Sequence, residues 1–212
     1  IIPILLLTHT SLVEPSPNRP VSSKTITAAS ASLMDVKAAV KTARPGDTVV
    51  IPAGVATWSA SLTYSKGIHL RGAGVGQTVI THLAFGVSVM GEEGAQWTIS
   101  DLEMISPNSN PCIAARGSCK NFRISYCKFK GNQTSGAVSL LAIGSGNDQA
   151  DHQYGLIDNC EIVDGRILIS GGLGEGSWKD PTNMGSEEAV YVEDCKFRYP
   201  SGILHNAIDS NS

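Results

Sequence analysis

Two carboxylates are the first candidates for chemistry in this sequence. Asp158 lies in the segment Ile157-Asp-Asn-Cys-Glu-Ile162, and Glu193 lies in the similar segment Val192-Glu-Asp-Cys-Lys-Phe197. If the two segments lie side by side, their carboxylates repel each other unless a proton or a cation lies between them. Three interpretations follow: a site for calcium or an acidic sugar, a general acid and base for glycoside hydrolysis, or a solvated pair without function.

Side chains that can bind a sugar form a second group of candidates. Arg123 can hold a sugar carboxylate through two parallel hydrogen bonds, and Tyr191 can pack its ring against a sugar. Both are also ordinary residues for the surface of a sheet. Trp178 lies in a long glycine-rich segment before Glu193, where it can serve as a sugar platform or pin a loop to the core. The sequence leaves these alternatives open.

A repeat indicates how these residues are positioned. Its copies read apolar, polar, polar, apolar, charged, apolar, and unequal spacing between copies is typical of coils of short strands whose corner loops differ in length. The alternative is an antiparallel sandwich with coincidental similarities. Four copies fit this pattern, and Leu70-Arg71-Gly72-Ala73 is a weaker first copy. The second positions, spaced by 29, 25, 33 and 35 residues, are Arg71, Ser100, Ser125, Asp158 and Glu193.

Stacking of the copies predicts which side chains share a column. Further strand-like runs at 137–143, 166–170 and 203–209 would supply the later strands of each coil. Alternation along a strand then places Asp158 and Glu193 on the outer face of adjacent coils, about 4.8 Å apart. A second outward column is predicted to contain Thr98, Arg123, Leu156 and Tyr191. The inward columns are predicted to contain Ile99, Ile124, Ile157 and Val192, and then Leu102, Cys127, Cys160 and Cys195.

An amphipathic helix is predicted upstream of the coils. Ser32 and Asp35 have the character of an N-cap and an acidic third residue, and Pro45-Gly46 ends the helix. A stacked barrel needs such an element, because its first coil otherwise exposes unpaired backbone groups and a cross-section of the core. The apolar face of the helix comprises Leu33, Val36, Ala39, Val40 and Ala43.

The same region carries a family resemblance. The run Asp35-Val-Lys-Ala-Ala-Val-Lys-Thr-Ala-Arg-Pro-Gly-Asp-Thr-Val-Val-Ile-Pro-Ala-Gly54, followed by Lys66-Gly-Ile-His-Leu-Arg-Gly-Ala-Gly74, resembles the cap helix and first coil of the pectate lyase-like right-handed β-helix superfamily. The resemblance covers about residues 33–212. It implies an all-β, right-handed parallel β-helix of three-strand coils with an N-terminal capping α-helix. It also implies a protein that acts on or binds extracellular polysaccharide, although members of this superfamily catalyse different reactions.

The resemblance also bears on the candidate site. The strand Val190-Tyr-Val-Glu-Asp194 is similar in pattern to the Val-Trp-Ile-Asp-His strand of pectate lyases, whose Asp helps to bind calcium. On that overlay Glu193 takes the place of the Asp, Asp194 that of the His and Tyr191 that of the Trp. The Arg-x-Pro-x-x-Arg segment that supplies the catalytic arginine of those enzymes is absent, so the resemblance does not extend to classical pectate lyase activity. Calcium, held by Asp158 and Glu193, is the cofactor that we predict.

The N-terminus predicts export. Residues 1–13 begin with an apolar run, Ile1 to Leu7, which is too short to span a bilayer and is interpreted as the remnant of a signal peptide. Residues 14–32 are interpreted as a linker and residues 33–212 as the β-helix domain. The domain is expected to be truncated at its C-terminus, because no closing element follows. The predicted location is secreted or cell-surface.

Composition excludes several other classes of function. The net charge is -3, and the 16 Lys and Arg residues are scattered, so a nucleic-acid partner has no electrostatic support. The five His residues lack metal-ligand spacing, which excludes a predicted zinc site. Of the five Cys residues, Cys112 and Cys119 could close a short loop, and an odd number leaves at least one unpaired.

These observations predict a secreted polysaccharide-active protein, a lyase or hydrolase acting on an acidic glycan. Asp158 and Glu193 are its predicted catalytic or metal-binding residues, and Arg123, Trp178 and Tyr191 are its predicted substrate-binding residues. The alternative is a non-catalytic glycan-binding protein of the adhesin or tailspike type.

Overall fold

A computed structural model describes residues 23–92, 95–132, 138–144, 153–170, 189–202 and 206–211 of the chain. The described residues form nineteen strands and one helix, α1 (Leu33–Thr42). The predicted signal-peptide remnant at residues 1–13 lies outside the described residues, as does Trp178.

The strands belong to three parallel sheets. Sheet A contains β1 (Thr25–Thr27), β2 (Thr48–Val50), β5 (His69–Arg71), β8 (Thr98–Ser100), β11 (Cys119–Ser125), β14 (Gln153–Asp158) and β17 (Val190–Glu193). Sheet B contains β3 (Gly54–Trp58), β6 (Thr78–His82), β9 (Glu103–Ser106), β12 (Lys128–Gly131), β15 (Glu161–Val163) and β18 (Lys196–Arg198). Sheet C contains β4 (Leu62–Tyr64), β7 (Val87–Gly91), β10 (Ile113–Gly117), β13 (Ser139–Ile143), β16 (Arg166–Ser170) and β19 (Ile208–Asn211).

The order of strands confirms the predicted architecture. From β2 onward, each strand pairs with the strand three places further along the chain, so every coil contributes one strand to each sheet. Parallel strands joined by a crossover connection take the right-handed path. The fold is therefore a right-handed parallel β-helix with three-strand coils.

The register confirms the predicted inward column of sheet A. Leu70 pairs with Ile99, Ile99 with Ile124, Ile124 with Ile157, and Ile157 with Val192. Apart from Val192, which packs partly buried against the core, these aliphatic side chains are fully buried. Each coil thus buries one aliphatic side chain directly above the one before it.

A tight corner joins sheet A to sheet B in each repeat. Its first residue has a left-handed backbone in four successive coils: Asp101, Tyr126, Asn159 and Asp194 have φ values of 59°, 52°, 52° and 50°. The parallel hydrogen bonding continues through the corner, because the N–H of Tyr126 donates to the carbonyl of Asp158 one coil further on. Asp and Asn tolerate this conformation, whereas a bulky residue adopts it rarely. The corner therefore has nearly the same shape in these four coils.

The N-terminal helix closes the barrel as predicted. The Ser32 hydroxyl accepts a hydrogen bond from the Asp35 N–H at 3.2 Å, and Val36, Ala39 and Val40 are buried against the first coil. The sheet begins upstream of the predicted domain boundary, however. Strand β1, within the segment 14–32 that the sequence analysis assigned to a linker, pairs in parallel with β2. No helix among the described residues has the length and apolar character that crossing a membrane requires.

The cysteines are free thiols. Cys112 and Cys119 are both buried and form no disulfide with each other, so the loop that they could close is not closed by one. Cys127 and Cys160 are also buried and Cys195 is half-buried, in agreement with the prediction that these three stack inside the fold. A hydrogen bond with Cys127 and burial together raise the pKa of Cys160 to about 12, which keeps its thiol protonated. These residues act as small hydrophobic side chains.

The inward column sets the stability of each coil. We expect Ile124→Ala to lower the free energy of unfolding by about 2–5 kcal/mol, because it leaves a cavity between two neighbouring coils. Leu156→Ala is the matched control, since Leu156 is half-buried on the outer face of β14, and we expect it to cost less than half as much. Chemical denaturation followed by circular dichroism measures both. Equal losses in the two variants would contradict the assigned register.

Candidate functional site

The outer face of sheet A carries the predicted site residues. Asp158 pairs in register with Glu193, and Arg123 pairs with Leu156, which in turn pairs with Tyr191. The two outward columns that the sequence analysis predicted therefore exist and run side by side. Arg123, Asp158 and Glu193 lie on three consecutive coils of this face.

An ion pair links the two columns. The Nε of Arg123 donates to Oδ1 of Asp158 at 2.9 Å, and Nη2 donates to Oδ2 at 2.8 Å. A third hydrogen bond reaches Oδ2 from Nδ2 of Asn159 at 2.8 Å. The Asp158 side chain is only 5% exposed, whereas that of Arg123 is 49% exposed. Asp158 thus lies beneath Arg123 and fixes the plane of its guanidinium group.

The ion pair determines the charge states. The hydrogen bonds from Arg123 hold the pKa of Asp158 below its ordinary value, although burial acts in the opposite direction. The same contact raises the pKa of Arg123. Both groups are therefore charged at neutral pH. The sequence analysis assigned the neutralisation of Asp158 to a proton or a cation, and in the structure Arg123 provides a positive charge.

One edge of the Arg123 guanidinium remains open. A guanidinium group can form paired hydrogen bonds through its Nε and Nη2 atoms and, separately, through its two Nη atoms. Asp158 occupies the first edge, and no hydrogen bond among the described residues uses Nη1. Because the side chain is half exposed, a carboxylate from a ligand can reach the second edge.

Glu193 and Tyr191 lie one coil beyond Asp158. Glu193 is exposed, and no ion pair forms on it within the part of the chain that the structure describes. Tyr191 is half-buried in the column of Arg123 and Leu156. The structure therefore brings Arg123, Asp158, Tyr191 and Glu193 to one face.

The described residues do not by themselves fit a calcium site. Calcium takes six to eight oxygen ligands, whereas both oxygens of Asp158 already accept hydrogen bonds, which leaves Glu193 as the uncommitted carboxylate of the pair. Across the described ranges, no three His, Cys, Asp or Glu side chains come together in a way that could hold a metal ion. Calcium binding by Asp158 and Glu193 stays a prediction.

The sequence analysis missed the contact between Arg123 and Asp158. The signal was available in the repeat, because Ser125 pairs with Asp158 and Arg123 is two residues before Ser125 on the same face. It also missed Asn159, whose side chain joins the corner to the ion pair. The remaining predicted binding residue, Trp178, lies outside the described residues.

Comparisons with known proteins give little beyond the fold. No protein-family profile matches the sequence, and no curated protein matches it either. One similar solved structure is that of the PL6 family alginate lyase AlyGC, with 16% identity and a TM-score of 0.49. The match covers 88% of this chain and 30% of the lyase. A likeness this distant carries no information about the catalytic residues or the substrate of this chain.

The ion pair has a testable dependence on pH. We expect Arg123→Gln to lower the free energy of unfolding by about 1–2 kcal/mol at pH 6, a modest value because solvent screens the half-exposed guanidinium. Since the pKa of Asp158 is lowered from 3.8 in the folded protein, this stabilisation is present above pH 3.8 and is lost as the pH falls through the folded-state value.

Denaturation curves at pH 6 and at pH 2.5 measure this difference. Arg71→Gln is the matched control, because Arg71 is an exposed arginine of the same sheet, and we expect its loss to change stability by less than about 0.5 kcal/mol. A difference between wild type and Arg123→Gln that is equally large at both pH values would rule out the ion pair as its cause.

Proposed function

We propose that this chain belongs to a secreted polysaccharide-active protein, a lyase or hydrolase, that acts on an acidic glycan along the outer face of sheet A. The observation that supports the proposal best is the geometry of Arg123. Asp158 holds one edge of the guanidinium, no hydrogen bond among the described residues uses the other edge, and the Arg123 side chain is half exposed. Such an anchored arginine is suited to bind a sugar carboxylate.

The charge state of Asp158 assigns it a supporting role. A general acid must carry a proton at the working pH, but the contact with Arg123 holds the pKa of Asp158 below its ordinary value. Asp158 therefore positions Arg123 rather than donating a proton. Glu193, exposed on the next coil, is the candidate proton-transfer group of this face.

Elimination is the reaction that fits an anchored arginine and one carboxylate. A base removes the proton from the carbon next to the sugar carboxylate, the oxygen on the following carbon leaves with its bonding electrons and takes up a proton from water, and a carbon–carbon double bond forms. Negative charge builds up on the sugar carboxylate during proton removal, and a fixed guanidinium stabilises that charge. In this assignment Glu193 is the base and Arg123 the stabilising group. Hydrolysis would need a protonated second carboxyl group, which Asp158 does not supply.

A non-catalytic glycan-binding protein is the second candidate function. It is favoured by the same commitment of Asp158 to Arg123, which leaves Glu193 without a partner for acid and base catalysis. In that case Arg123 and Tyr191 bind the glycan, together with Trp178 as the sequence predicts, and Glu193 is dispensable.

Ultraviolet absorbance during incubation with polyuronates, with and without calcium, tests the proposal. We expect the absorbance to rise as unsaturated product forms, and we expect Arg123→Gln and Glu193→Gln each to lower the rate at least about a hundredfold, in the range of lost electrostatic and general base contributions. Arg116→Gln is the matched control. Arg116 is an exposed arginine on sheet C, and its loss should leave the rate within about twofold of wild type.

The other outcomes separate the alternatives. New reducing ends without a rise in absorbance would show that the reaction is hydrolysis and not elimination. Binding without any product, unchanged in Glu193→Gln and weakened in Arg123→Gln, would establish the glycan-binding alternative. Full turnover in the Arg123→Gln variant would reject the sheet A site.

A further inference from the structure

A groove lies where sheet A turns into sheet B, and we call it the corner groove. It has a volume of about 370 Å³ and is open to solvent. Its walls come from three successive coils and from Val75 of an earlier coil. The polar side chains of its lining include Tyr126, Asn159, Asp194, Lys196 and Arg198.

Tyr126 is an unexpected residue at its position. The equivalent corner positions of the neighbouring coils hold Asp101, Asn159 and Asp194, which suit the left-handed backbone. Tyr126 adopts the same conformation, at a φ of 52°, without the short polar side chain that favours it. It is also 53% exposed. Neither the turn nor the core accounts for an aromatic residue here.

The charge of the groove favours an anion. Its lining contains three cations, Lys128, Lys196 and Arg198, against two carboxylates, Glu161 and Asp194. Glu161 forms an ion pair with Arg198, whose Nε lies 2.9 Å from Oε1. Nζ of Lys128 lies 3.9 Å from carboxylate oxygens of both Glu161 and Glu103.

Within the described ranges, Lys196 has no ion-pair partner. It pairs in register with Glu161 across the sheet, yet none of the ion pairs among the described residues involves Lys196. Lys196 and Arg198 are both exposed and point the same way from β18, two residues apart. Together they present neighbouring donors at one end of the groove.

We propose that the corner groove is a second carbohydrate site, which binds an acidic pyranose residue. Tyr126 packs against the face of the sugar ring, and Lys196 and Arg198 bind its carboxylate. Asn159 and Asp194 provide hydrogen-bonding groups for the hydroxyls. Asn159 also donates to Asp158, so the groove adjoins the Arg123 site around one corner of the coil. The proposal goes beyond the proposed function, because Tyr126, Lys196 and Arg198 take no part in the Arg123 site and binding at the two sites can fail independently.

Isothermal titration calorimetry with a short uronate oligosaccharide tests this site. The whole chain carrying Arg123→Gln is the reference protein, so that heat from the sheet A face is removed. We expect Tyr126→Asn and Lys196→Ala, added to this reference, each to weaken binding about tenfold or more. Lys130→Ala, an exposed lysine of the same sheet outside the groove lining, should change affinity less than twofold.

The choice of asparagine keeps the test independent of folding. Asn is favoured at this corner, as Asn159 shows, so Tyr126→Asn should unfold at the same temperature as the reference or at a higher one. A lower unfolding temperature would mean that Tyr126 serves the fold, and would overturn the proposal. Unchanged affinity in Tyr126→Asn, equal affinity for a neutral oligosaccharide of the same length, or no binding by the reference protein would also overturn it. None of these results affects turnover at the Arg123 site, which the absorbance assay measures separately.

Discussion

The in-register stacking of parallel strands is the constraint on which the rest of the structure depends. Every strand from β5 to β16 bonds to the equivalent strand of the coils before and after it, so a residue in one coil fixes the environment of its counterpart in the next. Aliphatic side chains such as Ile99, Ile124 and Ile157 form a continuous inward column. The outward residues follow the same spacing, which is why chemically active groups from distant parts of the sequence lie side by side.

This constraint explains how much the sequence predicts. The repeat carries the register, because a slip of one residue would turn an inward isoleucine outward, and the predicted columns of sheet A are confirmed. Strand β1 escaped prediction because three residues, Thr25–Thr27, are too short to show alternation and lie among residues typical of a linker. The helix was predictable because its cap and its apolar face are local features.

The candidate site was predicted less completely, for a physical reason. The repeat predicts which backbone positions are adjacent, but it does not predict which side chains make contact, because a long side chain can reach a neighbouring column. Arg123 bonds to Asp158 rather than to a residue of its own column. The alignment alone treated Asp158 and Glu193 as equivalent. The two carboxylates differ in burial and in contacts: Asp158 is buried and bonded to Arg123, whereas Glu193 is exposed. Asn159 extends this network from the flat face into the corner.

The repeated corner has a consequence for any polymer that binds along the barrel. Because four successive coils turn through a left-handed residue at the same position, equivalent groups recur there at one fixed step of about 4.8 Å. A glycan repeats at its own sugar-to-sugar distance, so the mismatch between the two spacings grows with every added sugar. Close fit is therefore confined to a few neighbouring coils. The residues Arg123, Asp158 and Glu193 span three coils. The length of a tightly held glycan fragment is therefore set by how well the sugar spacing matches the coil spacing, and not by the length of the barrel.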